Sequence, residues 1–382
     1  MTAEGELTIS RYALRPKTDT DRRKLEEIEG KSCIYPLDIA LGISGLPFKM
    51  TPGLMLKIAR VAVQVPSYEK AESIIREMCH VEISDDTIRS VTNYIGEIVF
   101  RNDCKRSDAA KASYEANSLA FPRDKDGVLY MSVDGATINT RAENGRSIWR
   151  ENKLALAYGS DHIITYRNSV GEFCHRINKR EYMAYIGGVD EFKWRWFALA
   201  LSAGYGRYKE TVILSDGAPW IRGVHEELFS DAQRILDLFH LKENTGEYFK
   251  ALFPKDAQKP ERKEWSDKIC DMLESGHWED ALKELKRFKR RTIPEYVVDL
   301  PKYIRDNQNA IDYPAYRAKG YVVGSGAIES SNKTVLQSRM KQAGMRWSVE
   351  QGQYMVALKA RQESDTWGSV EKLLYEHLGL GF

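Results

Sequence analysis

Three acidic residues carry the chemistry that this sequence offers most directly. Asp134 follows the apolar run VLYMSV, Asp216 follows TVILS, and Glu329 sits in GSGAIESSNK just ahead of a long basic helix. Carboxylate oxygens suit hard cations such as Mg²⁺. Two such cations can flank the attacking and leaving oxygens of an in-line phosphodiester displacement. Each acid also has an ordinary reading: an Asp before Gly135 or Gly217 forms turns, and a Glu in the first turns of a helix complements its dipole. Two strand-Asp-Gly positions on adjacent central strands are harder to read as two turns. Brought together, their carboxylates repel unless one is protonated or a divalent cation neutralises them. The separations are 216 − 134 = 82 and 329 − 216 = 113 residues, and the longer gap holds a helical stretch.

The elements that must position these acids follow from patterning. From about residue 125 the runs VLYMSV, IWRENKLALAYGS and HIITYRNS are strand-like and are separated by Gly, Asn and Asp turns. GVDEFKWRWFALALSAGYG reads as a helix, ETVILS as a strand, APWIRGVHEELF as a helix and AQRILDLF as a further short strand. Three strands, helix, strand, helix, strand is the order of an α/β ribonuclease-H-like core. Residues 241–316 are all helical in pattern and would fold out as an all-α insertion. The last helices are expected over 326–343, 348–362 and near 369–377, with Gly324 and Gly326 giving the backbone freedom to enter the first of them.

Upstream lies an α-helical N-terminal domain. Thr51-Pro52 caps a helix that ends before Pro66, and residues 67–100 read as two helices joined by a short turn. In the first, Ala71, Ile74, Ile75 and Met78 face inward. Ser84 caps the second, whose apolar face is Ile88, Val91, Tyr94 and Ile95. This pair suits a helix-turn-helix DNA reader, and equally a plain helical hairpin. The expected organisation is therefore 1–124 helical, 125–240 first part of the core, 241–316 insertion, and 317–382 the helix bearing Glu329 with the terminal helices.

Composition narrows the class. The 382 residues carry a net charge of +2, and no apolar run approaches the ~18 residues of a membrane span. The N-terminus lacks the basic-then-apolar plan of a signal peptide, so a cytoplasmic protein without membrane partners is expected. The cysteines at 33, 79, 104, 174 and 270 are scattered, with no C-x-x-C pair to suggest disulfides or a zinc site. The basic charge is uneven. Residues 317, 319, 333, 339, 341, 346, 359 and 361 are Lys or Arg, opposed in that stretch by Glu329 and Glu350. Such a stretch is either a solvated helix face or a phosphate track beside Glu329.

The motifs VDGATINTR, LSDGAPWI, ILDLFHLKE and GSGAIESSNKTVLQSRMKQAGMRWS, with the trailing QGQYMVALKA, carry a resemblance. The chain resembles bacterial DDE transposases of insertion sequences. The IS-Lre-like and IS-Kra-like groups are the nearest, and Mutator-type transposases are more distant. That resemblance implies Asp134, Asp216 and Glu329 as a catalytic triad holding two Mg²⁺ ions, with Mn²⁺ able to substitute. It implies double-stranded DNA as partner, both the terminal inverted repeats of an element and the target, bound by a homodimer or higher assembly. It also marks Asp237-x-x-His240, which either brace the site by a hydrogen bond or contribute a metal ligand.

Lys333, Arg339, Lys341 and Arg346 would hold DNA phosphates, contacts that position without reading sequence. Trp347 and Trp220 lie near the triad in sequence and either stack on a base or belong to the core. Some related transposases carry a cysteine-rich zinc module that this sequence lacks, so repeat recognition would fall to residues 51–100. Two other functions stay open: a metal-dependent nuclease or resolvase on the same fold, and a transposase-derived protein that only binds DNA.

Overall fold

The computed structural model describes residues 12–29, 33–40, 48, 50–142, 145–171, 173–288, 292–324 and 326–380, and leaves the side chains of residues 28, 29, 173 and 329 undescribed. The chain divides into two compact units. One comprises Met1–Cys104, Ile138–Trp149 and Val335–Phe382; the other comprises Lys105–Thr137 and Arg150–Thr334.

The first unit is built from helices α1 (Asp19–Glu29), α2 (Pro36–Ala40), α3 (Pro52–Gln64), α4 (Tyr68–Cys79) and the start of α5 (Asp85–Glu115). Thr51 caps α3 by accepting from the Leu54 N–H, with Pro52 at the first helical position, as the sequence leads one to expect. The helix, turn and helix of 67–100 are present, and the Ser84 hydroxyl accepts from the Thr87 N–H at the start of α5. The first turn of α5 carries Asp85 and Asp86, both ion-paired to Arg89. The apolar face of α4 is turned from its expected phase: Met78 is exposed, and Ala71, Ile75 and Cys79 are its buried residues.

The second unit holds the sheet. Its strands are β1 (Lys125–Arg141), β2 (Ser147–Gly159), β3 (Ile163–Arg167), β4 (Phe173–Ile177), β5 (Glu181–Ile186), β6 (Tyr208–Ser215) and β7 (Gln233–Leu236), and the last residues of β1 and the first of β2 fall in the other unit. Five of them form a mixed sheet in the order β5-β2-β1-β6-β7. β6 runs parallel to β1 and to β7, while β5 runs antiparallel to β2. The run HIITYRNS does not join this sheet. As β3 it pairs with β4 in a separate two-stranded sheet, and β5, whose burial alternates residue by residue, takes the third place instead.

Helices α6 (Val189–Ala203) and α7 (Pro219–Leu228) supply Phe192, Trp196, Phe197, Ile221 and Val224 to a core that also contains Leu129, Met131 and Val133 of β1 and Ile213 of β6. Side chains alternate between the faces of a strand. Tyr130, Ser132 and Asp134 therefore share the opposite face of β1. After β7 come α8 (Leu238–Leu252), α9 (Lys259–Glu274), α10 (Trp278–Leu285), α11 (Leu300–Asp306), α12 (Tyr313–Ala318) and α13 (Gly326–Ser331). A π-helical stretch, Asn332–Gln337, continues α13, followed by α14 (Ser338–Met340), α15 (Val349–Glu363) and α16 (Trp367–His377).

Candidate active site

β1 and β6 pair with one constant offset, from Val128 with Glu210 to Ser132 with Leu214. The same offset, 214 − 132 = 216 − 134 = 82, relates Asp134 to Asp216. Asp216 stands one residue past the end of β6, two positions beyond the last registered pair, beside the stretch of β1 that carries Asp134. Asp134 does not end its strand, as the Asp-Gly turn reading would require. β1 continues through Gly135 to Arg141, and the carboxylate accepts from the Gly135 N–H at 2.7 Å.

Asp216 does sit in a turn. β6 stops at Ser215, Asp216 accepts from the Ala218 N–H at 2.9 Å, and Gly217 adopts a φ of +83°, which a residue without Cβ reaches without strain. The Tyr303 hydroxyl on α11 donates to the Asp216 carbonyl. A Cβ at Gly217 would lie 2.7 Å from Leu236 and 2.9 Å from Tyr303. Shape and hydrogen bonding together fix the Asp216 backbone.

Burial pushes the Asp134 carboxyl above the usual carboxylate range, and the charge of Asp216 adds to the rise. The Gly135 N–H, His240 and Asn332 act the other way. Asp216 and His240 are thereby close enough to act on the charge of Asp134. Burial, then Asp216 and Asp237, push the Tyr303 hydroxyl far above its ordinary value, so it stays a donor.

The backbone leading into α13 is fastened to the same face of the sheet. Tyr321 donates to Glu210 at 2.9 Å, the Val322 N–H donates to the Tyr130 hydroxyl at 3.3 Å, and the Leu238 N–H donates to the Val323 carbonyl at 3.1 Å. Ser331 bonds the Tyr182 hydroxyl of β5 at 2.8 Å, and Asn332 donates its amide N–H to Asp134. Glu329 stands on α13 three residues before Asn332, and its side chain lies outside the described residues, as does Ser325 of the same motif. Gly324 and Gly326 are absent from the residues with positive φ, so entry into α13 does not use the freedom expected of them.

Asp237 is fully buried and caps α8, accepting from the His240 N–H at 2.8 Å. The brace between this pair therefore runs through the main chain of His240, whose Nδ1 lies 3.4 Å from Glu243. Lys333 is exposed, while Trp220 is half-buried and packs edge-on to Phe192 at 5.8 Å.

The remaining basic residues belong to the other unit. Lys341 and Arg346 are exposed. Arg339 is a correction: it is 1% exposed and cannot meet a phosphate. Its guanidinium donates to the carbonyls of Ala62 (2.9 Å) and Pro66 (3.2 Å), groups that the C-terminal end of α3 leaves without helical partners, and it lies over the rings of Tyr68 and Trp347. Trp347 is likewise buried, donating its indole N–H to the Met340 carbonyl, and so has no face for a base.

The donor set suits a hard divalent cation, with two carboxylates side by side, one of them driven toward protonation. Among the described residues, no three His, Cys, Asp or Glu side chains are grouped closely enough to hold a metal ion. The sequence assigns no role to Asn332 or Tyr303. Asn332 is signalled only by standing three places after Glu329, and Tyr303 by nothing. Among the described residues, no helix is long and apolar enough to cross a membrane. No family model matches the chain, and no curated protein matches it.

Proposed function

We propose that the chain is a DNA transposase with a ribonuclease-H-like core, cutting element ends and joining the freed 3′-hydroxyls to target DNA. The observation that carries this reading is the nearness of Asp134 and Asp216, on β1 and directly after its neighbour β6, with the segment of Glu329 tied to Asp134 through Asn332. Support comes from the sheet. Counting only its own five strands, the spatial order is third, second, first, fourth, fifth, with the fourth parallel to the first. That is the arrangement expected of such a core, with Asp134 on its first strand and Asp216 directly after its fourth.

Asp134, Asp216 and Glu329 would hold two Mg²⁺ ions, with Mn²⁺ as a substitute. When bound, these ions supply Lewis-acid stabilisation of the attacking and leaving oxygens. The residues' own tasks are positional. The pairing of β1 with β6 brings the chain at Asp134 beside the chain at Asp216, Tyr303 holds the turn after β6, and Asp237 anchors the start of α8. Water attacks the scissile phosphorus and the bond to the 3′-oxygen breaks, leaving a 3′-hydroxyl. That hydroxyl then attacks a target phosphorus, so one phosphodiester forms as another breaks and no external energy source is needed.

Terminal inverted repeats and target duplex are the proposed partners, bound by at least a dimer because two ends must be processed together. The test is strand transfer with pre-cleaved ends from the DNA flanking the gene, in Mg²⁺ or Mn²⁺, comparing wild type with Asp216→Asn. Metal-dependent joining lost in the variant supports the reading. Cutting without joining would replace it with a nuclease, and binding with neither reaction would leave a DNA-binding protein.

A further inference from the structure

The two ends of the Asn332 amide are in unlike surroundings. The side chain is 5% exposed; its Nδ2 donates to Asp134 Oδ2, while its Oδ1 is buried with no hydrogen-bond partner among the described residues. A buried carbonyl oxygen is seldom left in that condition, and one next to a carboxylate pair calls for a reason. Side-chain amide oxygens are good ligands for hard cations, as carboxylates are. Half a turn about the terminal torsion exchanges the amide nitrogen and oxygen without altering the volume the group fills.

After that half-turn, Oδ1 faces Asp134 Oδ2. Two acceptor oxygens repel in contact unless a cation or proton lies between them. The amide orientation is therefore coupled to occupancy: N–H toward Asp134 without a cation, C=O toward it with one. Asn332 also has little room to withdraw, because the neighbouring Ser331 is held by Tyr182.

We propose that Asn332 is a cation ligand of this site, its Oδ1 binding the divalent ion that Asp134 binds and its N–H standing in for that ion when none is bound. The inference rests on the reading of Asp134 and Asp216 as cation ligands, and adds a neutral oxygen to the set. A neutral ligand leaves the site's charge lower than a further carboxylate would, which favours release as well as capture.

The test is Mn²⁺ binding to the full-length protein by calorimetry and electron paramagnetic resonance, for wild type, Asp134→Asn, Asp216→Asn, Asn332→Leu and Asn332→Asp. The ligand role predicts binding that Asn332→Leu weakens about tenfold or more and that Asn332→Asp keeps within about threefold or tightens. A role limited to orienting Asp134 predicts that both variants weaken it, since both remove the N–H donor. Asn332→Leu binding as tightly as wild type, or Asn332→Asp binding about tenfold more weakly, overturns the proposal while the two aspartates keep their role. Should the leucine variant not melt cooperatively, the aspartate variant decides alone. Wild-type binding indifferent to both Asp134→Asn and Asp216→Asn overturns the parent reading as well.

Discussion

Asp216 adds its charge to the burial that raises the proton affinity of Asp134, since it directly follows β6 where that strand pairs with β1. Without a cation this is a built-in repulsion. The folded Asp134 carboxyl titrates above its unfolded counterpart, so its contribution to stability is complete below the ordinary aspartate range and is lost as pH rises through the raised value. Asp134→Asn removes the charge. In a chelated sample, thermal denaturation should show the variant melting above wild type at about pH 7, with the gap closing toward about pH 4. A variant less stable than wild type at neutral pH would contradict the repulsion.

Gly217 is where shape and backbone conformation meet. Alanine there would have to adopt a φ of +83° and press against Leu236 and Tyr303. Gly217→Ala should lower stability by about 1–3 kcal/mol in urea denaturation. Tyr303→Phe, which deletes only the hydroxyl that binds the Asp216 carbonyl, should cost about 1 kcal/mol. An alanine variant as stable as wild type would show that the turn has another accessible shape.

Arg339 should behave as a structural residue. Arg339→Ala leaves the carbonyls of Ala62 and Pro66 unpaired beneath two aromatic rings, a loss of about 3–5 kcal/mol. Arg339→Lys should fail to restore it, since an ammonium cannot reproduce the planar fork. A folded Arg339→Ala protein with reduced DNA affinity alone would reverse this assignment.

Lys333, Lys341 and Arg346 are the exposed members of the basic set. If each neutralises a phosphate, single alanine variants should reduce the slope of log affinity against log salt by ~0.9 apiece, with no change in sequence preference. Fluorescence anisotropy across a salt series measures that slope. An unchanged slope for a given variant places its charge in solvent.

How far the sequence could be read depended on the range of the cause. Caps and strand cores are local, so Thr51, Ser84 and the runs VLYMSV and ETVILS announced their elements. Strand partnership is not local. HIITYRNS is a strand by composition, yet it pairs with β4, and the third place in the main sheet goes to the short EYMAYI. Arg339 misled for a similar reason: its charge is legible, while the orphan carbonyls that claim it lie more than 270 residues earlier in the chain. At Asp134 the local cue pointed the wrong way, since its strand runs on where the Asp-Gly pair suggests a turn.

The three candidate acids differ in how their backbones are held. Asp134 is inside a long strand and Asp216 is locked by Gly217 and Tyr303, so neither can travel. Glu329 stands on α13, which the π-helical stretch Asn332–Gln337 and α14 prolong, and anchors on either side of the acid tie this segment to the sheet. Two of those anchors are Ser331 with Tyr182 and Asn332 with Asp134. Both bonds are made by the residues that follow Glu329, so the place of its backbone on the sheet is set by side chains other than the acid itself.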